Sequence, residues 1–225
     1  SAVERTETNL SYMRAVVDER HGLAEELRQL ITGEVRFDPY AKAMYATDAS
    51  IYQMEPVGVV IPRSVEDVQA TVETCFKHGI AVLPRGGGTS LSGQGVNHAV
   101  VIDFSKYLRN VLEVNAEEHW ARVQPGIALD TLSQHVASLG LKYGPDPTTS
   151  SRATIGGSVG NNSCGPHSLI YGKAIDHVQA LSVVLSDGSL AQFGLLEGAA
   201  LMERAGVGGL EGDIYREVRK LVNEN

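Results

Sequence analysis

PRGGGTSLSGQ, Pro84–Gln94, follows directly on the apolar run IAVL, and the pair governs the reading of everything around it. A strand that runs into three glycines can bring successive backbone N–H groups to one concavity, because Gly86, Gly87 and Gly88 can take positive φ at little steric cost. A second glycine loop, TIGGSVGNNSCG (Thr154–Gly165), lies far away in sequence and reads as the start of a short helix, whose dipole adds to the attraction for an anion. Two such loops facing one another would clamp a pyrophosphate. The first expectation is therefore a dinucleotide cofactor.

Upstream of the first loop, VGVVI (Val57–Ile61) is a β-type run closed by Pro62. Ser64 then opens a helix, with Asp67 at the capping-box position and Val65, Val68, Val72 and Phe76 on one face. Cys75 falls on the apolar side, where a buried thiol is the ordinary outcome. AVVID (Ala99–Asp103) supplies a third strand, so strand, helix, strand, loop and strand make a small α/β unit. Further upstream, Leu10, Met13, Val17, Leu23, Leu27 and Leu30 recur at spacings of three and four, predicting helix over 9–31, divided at Gly22.

Downstream, VLEVN (Val111–Asn115) and HWARVQ (His119–Gln124) read as a hairpin. A helix follows, carrying Ile127, Leu132, Val136 and Leu139 and stopping at Gly140. YGPDPTTSSRATIGG (Tyr143–Gly157) holds too much Pro, Gly and Ser for regular structure and reads as a binding loop, with Pro145-Asp146-Pro147 as a rigid turn. HVQALSVVL and LAQF form another hairpin through Ser186–Ser189, where Asp187 is a turn residue. Ile214, Val218 and Leu221 mark a last amphipathic helix.

The chain has 225 residues, enough for one large domain or two small ones. It is 43% hydrophobic, with a mean hydropathy of -0.08, as in ordinary water-soluble domains. A formal net charge of -8 without a basic patch excludes nonspecific binding to nucleic acid and limits any membrane contact to a peripheral one. No apolar run is long enough to span a bilayer. Two cysteines, Cys75 and Cys164, do not make a secreted disulfide framework, so a cytoplasmic setting is expected. Gly88 and Gly93 have P-loop spacing, but Gln94-Gly95 stands where Lys-Ser or Lys-Thr is required, and Gly86–Gly88 lacks the Rossmann spacing. HExxH, paired CxxC and GxSxG are absent, and the seven histidines show no ligand spacing, so no metal site is expected.

In order along the chain come PRGGGTSLSGQ, PDPTTSSRATIGG, NNSCG, Tyr171-Gly172 and VVLSDG. This succession resembles the FAD-binding domain of the vanillyl-alcohol-oxidase/PCMH superfamily. It is most similar to the branch of FAD-linked 2-hydroxy-acid dehydrogenases (glycolate oxidase flavin subunit, D-lactate dehydrogenase, D-2-hydroxyglutarate dehydrogenase). The NNSCGPHSLIYG wording is similar to large fusion enzymes that join this module to an iron–sulfur oxidoreductase. The resemblance runs from about Pro56 to Gly188. It implies an α+β, PCMH-type fold of two α/β subdomains with the cofactor between them, preceded by N-terminal helices. The divisions expected are a helical lead over 1–55, a small α/β subdomain over 56–105, and a larger β-rich subdomain over 106–225, incomplete at its C-terminal side.

The same resemblance assigns the cofactor contacts. Arg85, Gly86, Gly87, Gly88, Thr89, Ser90, Gly93 and Gln94 would cradle the pyrophosphate, mainly through backbone N–H groups. Thr149, Ser150, Thr154, Gly156, Gly157 and Gly160 would form the facing wall, with Asn161, Asn162, Cys164 and Gly165 following the cofactor beyond it. Small residues that permit close approach, and hydroxyls that supply oriented donors, agree with that assignment. Arg85 has a second reading as a structural bridge under the loop, and His167 and Tyr171 read as local hydrogen-bonding residues. Covalent members of the superfamily carry a histidine where this chain has Thr89, so the FAD is expected to be noncovalent. The implied reaction is oxidation of a small 2-hydroxy acid, its α-carbon delivering hydride to the flavin. The later adenine-side segment, the substrate cap and iron–sulfur cysteine clusters do not occur in these residues, so the catalytic base is unassigned and the chain by itself is expected to be inactive. Two alternatives stand beside this reading: another flavin oxidoreductase of the superfamily, of enolpyruvyl reductase or alcohol oxidase type, and a noncatalytic module that has lost FAD.

Overall fold

A computed structural model describes residues 22–224. Helix α1 occupies residues 22–30, so the Leu10, Met13 and Val17 part of the expected helix lies outside the described residues. There follow β1 (Glu34–Arg36), α2 (Pro39–Tyr45), β2 (Gly58–Ile61), α3 (Val65–Lys77), β3 (Val82–Arg85) and β4 (Val100–Asp103). These strands form one sheet in the order β1-β2-β4-β3, parallel except for β1. β1 lies within the stretch expected to be a helical lead, after its helix, and it caps the sheet edge by pairing antiparallel with β2.

Both sheet faces are covered, which is why β2 and β4 are continuous apolar runs rather than alternating ones. Val60 and Val100 pack with Leu23, Leu27 and Cys75 on one face, while Val59 and Val101 pack with Ala41 on the other. Val68 and Val72 of α3 meet Ile102 and Leu108. The α3 stripe differs in part from the expected one: Val65 and Phe76 are exposed and Thr71 is buried, while Cys75 is buried as expected. Thr71 is tolerated there because its hydroxyl donates to the Asp67 carbonyl at 2.7 Å. The capping box is also only half formed. The Asp67 N–H donates to Ser64 Oγ, but the Asp67 carboxylate accepts from the N–H groups of Arg63 and Thr32, each at 2.8 Å. Asp67 thereby ties α3 to the end of α1.

The second unit begins with the hairpin β5 (Val111–Asn115) and β6 (Trp120–Val123). Helix α4 (Leu129–Val136) buries Leu132 and Val136 against that hairpin, with Ile127 beside them. A 3₁₀ turn over Ala137–Leu139 extends α4, and Gly140 ends it at φ 72°. Leu139 stays half exposed. The irregular segment leads into short helices α5 (Ile155–Gly160) and α6 (Ser168–Tyr171), then a second hairpin, β7 (Ala180–Val184) and β8 (Leu190–Gly194). Its turn docks on α3, where Gln69 donates to the Gly188 carbonyl. Helices α7 (Gly198–Gly206) and α8 (Leu210–Glu224) pack on each other. On α8, Ile214 is half buried, whereas Val218 and Leu221 are exposed.

Candidate functional site

β3 and β4 end together, with Arg85 opposite Asp103 in the register. Beyond those ends opens a cavity of about 700 Å³. A crevice past the carboxyl ends of parallel strands is where open α/β sheets take ligands, and this volume suits an organic cofactor. The sheet side contributes Met44, Tyr45, Arg85, Gly86, Gly87 and Asp103. The second unit contributes Ala128, Thr131, Ser151, Arg152 and Thr154, and the link from β4 to β5 adds Ser105, Arg109 and Asn110. Gly126 lets the two sides meet: a Cβ there would overlap the Phe104 carbonyl.

The first glycine loop is braced by charged side chains. Arg85 Nη1 donates to the Gly95 carbonyl at 2.6 Å and to the Tyr45 carbonyl, and Nη2 donates to the Thr47 carbonyl at 2.8 Å. The structural bridge foreseen for Arg85 is thus formed. Asp48 accepts from the N–H groups of Ser50 and Gly95; burial pushes its carboxyl up, but these hydrogen bonds together hold it below the ordinary range. Ser90 and Gln94 bond to each other, and the Ser92 N–H donates to Gln94 Oε1. Gly88 and Gly93 have φ of 63° and 78°, and Thr89 is half buried between them. Tyr45 donates to the buried carboxylate of Asp103; burial first, and that bond second, raise the Tyr45 phenol well above its ordinary value.

The second loop is held by caps and close packing. Thr154 Oγ1 accepts from the Gly157 N–H and caps α5. Gly156 sits on Pro125, where a Cβ would come within 2.8 Å of that ring. Gly160 has open space around it. Asn161 donates to the Gly157 carbonyl, and Asn162, at φ 47°, accepts from the Ile175 N–H. Thr149 and Ser150 form a turn in which the Thr149 carbonyl accepts from Arg152 and Ala153. Gly165 lies so close to Asp146 that a Cβ would overlap its backbone, and His167 Nδ1 pairs with Asp146 Oδ2 at 2.5 Å. That contact holds the Asp146 carboxyl below the usual carboxylate range. His177 bonds the Tyr171 carbonyl. Cys164 is exposed, while burial pushes the Cys75 thiol up to about 12, so it is inert as a nucleophile.

The two loops touch directly. A Cβ on Gly86 would overlap Thr154 Oγ1, and one on Gly87 would overlap the Arg152 carbonyl. Of the residues singled out from sequence, Arg85, Gly86, Gly87 and Thr154 line the cavity. Gly88, Thr89, Ser90, Gly93 and Gln94 continue the first loop outside that lining, as do Thr149, Ser150, Gly156, Gly157, Gly160, Asn161, Asn162, Cys164 and Gly165 in the second. Sequence reasoning missed Asp103, Ser105, Arg109, Asn110, Thr131, Ser151 and Arg152. The signal for Asp103 and Ser105 was available, since both stand at the end of a strand parallel to the one before the glycine loop. Among the described residues no cluster of three or more metal-ligating side chains occurs, and no helix is long and apolar enough to cross a membrane.

Residues 56–194 match the model of the family described as FAD binding domain. The chain is 37% identical over 193 residues to D-2-hydroxyglutarate dehydrogenase of Pseudomonas putida, covering 84% of this chain and 19% of that protein. It is 35% identical over 175 residues to glycolate oxidase subunit GlcD of Bacillus subtilis, covering 76% of this chain and 37% of the relative. Among solved structures, alkyldihydroxyacetonephosphate synthase superposes with a TM-score of 0.68 at 23% identity, over 80% of this chain and 38% of the other. Xylooligosaccharide oxidase from Myceliophthora thermophila superposes at 0.65 and 24% identity, over 81% of this chain and 39% of that one. At those identities the two structures speak for the fold alone. The chain spans about a fifth of the length of its D-2-hydroxyglutarate dehydrogenase relative.

Proposed function

This chain belongs to the FAD-binding domain family, and on that premise we propose that it is the cofactor-holding part of an oxidoreductase that oxidises a small 2-hydroxy acid by hydride transfer to FAD. The carrying observation is the contact between Gly86-Gly87 and Arg152–Thr154 beside the cavity: two loops meet where only glycine fits. That cradle suits a dinucleotide, because glycines let two loops pack this closely and so let backbone N–H groups from both sides converge on one phosphate. FAD, when bound, supplies the hydride acceptor.

The chain's own task is to bind and orient. The N–H groups from Gly86 to Ser90, with Gly93, would hold the diphosphate from one side, and Gln94, whose own N–H donates to Ser90 Oγ, would complete that side of the cradle. Thr149, Ser150, Thr154, Gly156, Gly157 and Gly160 would hold it from the other, and Asn161, Asn162, Cys164 and Gly165 would extend the wall. Arg85 acts beneath the first loop, keeping it in shape through the three carbonyls it binds. The 2-hydroxy acid is supported by the names of the two relatives above, and their greater length leaves room for a substrate cap and an iron–sulfur electron acceptor. The acidic charge and the free cysteines favour a cytoplasmic setting.

The test uses the full-length protein, carrying FAD, mixed anaerobically with D-2-hydroxyglutarate, D-lactate or glycolate. Bleaching of the flavin absorption band by one of them is the expected result. A band unmoved by all three, in protein whose flavin dithionite still reduces, contradicts the 2-hydroxy-acid assignment.

A further inference from the structure

We propose that Arg109 and Arg152, facing one cavity from two different parts of the fold, are the charge partners of the FAD diphosphate and make the site selective for the dinucleotide over riboflavin. The proposal rests on the FAD reading above and adds a specificity element to it. Three arginines and a single aspartate line the cavity, in a chain whose formal net charge is -8. Concentrating positive charge in a crevice of an acidic chain is a device for drawing in an anion.

The four charged groups are not equivalent. Arg85 has Nη1 and Nη2 engaged by backbone carbonyls. Asp103 is engaged at both oxygens, Oδ2 accepting from Tyr45 and Oδ1 from the Ser105 N–H at 2.7 Å. Arg109 and Arg152, by contrast, form no ion pair and no side-chain hydrogen bond among the described residues, and both are accessible from the cavity. Arg109 follows β4 by way of Leu108, whose buried side chain anchors it. Arg152 stands in the turn whose carbonyl touches Gly87. A guanidinium at each place supplies a planar fork of donors, the geometry that matches phosphate oxygens. Riboflavin has no phosphate and gains nothing from either.

The experiment is a titration of the protein, freed of flavin, with FAD, ADP and riboflavin at about 0.05 M and about 0.5 M salt, the bracket over which surface charge is screened. Parent protein, Arg109→Gln, Arg152→Gln, the double variant and Arg152→Lys are compared. Each single glutamine variant is expected to weaken FAD and ADP about tenfold at low salt, the size of one charge-assisted hydrogen bond. The double variant loses most of the salt dependence, the lysine variant recovers part of the affinity, and riboflavin binding stays level throughout, which also certifies the fold. Glutamine variants that bind FAD with the parent's affinity and salt dependence overturn the proposal and leave the FAD reading standing. Equal losses for FAD and riboflavin also overturn it, as a general structural effect. A parent that binds no FAD at either salt overturns both.

Discussion

The two glycine loops look alike as sequence and are held in opposite ways. The first hangs from charged side chains: Arg85 reaches the carbonyls of Tyr45, Thr47 and Gly95, and Asp48 reaches the Gly95 N–H. The second is held by contact, with Thr154 capping α5, Gly156 on Pro125 and Gly165 against Asp146. The difference separates glycines needed for space from glycines that merely end a helix. It also shows that an arginine at the start of a glycine loop can serve to hold the loop itself.

The largest effect should come from the place where the loops touch. Gly87→Ala drives a methyl into the Arg152 carbonyl, which is backbone and cannot swing aside, so about 3 kcal/mol of stability should be lost in denaturant titration. An unchanged midpoint would show that the contact is loose. Next comes Arg85→Gln, which strips charged donors from three carbonyls and should cost about 2 kcal/mol by the same measurement. A smaller cost would mean that water replaces the guanidinium and the first loop is not braced as described.

A weaker, pH-dependent effect belongs to the second loop. Asp146 is lowered in the folded state by His167, so the pair stabilises the fold above the ordinary carboxylate value, near pH 4, and that contribution is lost as pH falls below it. In Asp146→Asn the melting temperature should therefore fall less steeply below about pH 4 than in the parent. Parallel curves would remove the pair from the account of that loop. Smallest of all is Gly160→Ala: open space surrounds this helical glycine, so stability should hold or rise by about 0.5 kcal/mol. Thr89 in place of a histidine adds a qualitative test. Acid precipitation of flavin-loaded protein should leave the yellow colour in the supernatant, and colour in the pellet would show a covalent link.

The strands β2 and β4 were legible because a sheet covered on both faces demands continuous apolar runs, β3 because the IAVL run leads into the glycine loop, and both hairpins because Ala116-Glu117-Glu118 and Ser186-Asp187-Gly188-Ser189 stand as turns between β-type segments. Strand β1 was not, since three residues beginning with Glu34 and ending with Arg36 gain their structure from pairing with β2. Helix α2 had a readable start in Asp38-Pro39, with Asp38 accepting from the Ala41 N–H at 2.9 Å, but its seven residues carry too little periodicity to stand out. On α3 the apolar count pointed correctly to Val68, Val72 and Cys75 but also to Val65 and Phe76, while packing buried Thr71 instead. At the site, the glycines announced themselves locally. Arg109 and Arg152 did not, because no motif joins them and only the approach of the second unit to the strand ends brings them to one cavity.

The central claim is that the contact between the loops shapes an FAD site. Its most direct test is FAD titration of the full-length parent, Gly87→Ala and Gly206→Ala, a helical glycine with open space around it outside the loops, freed of flavin and followed by quenching of flavin fluorescence. The account predicts saturable binding by the parent and by Gly206→Ala, and loss of binding by Gly87→Ala. Equal binding by all three, or none by the parent at saturating FAD, would contradict it.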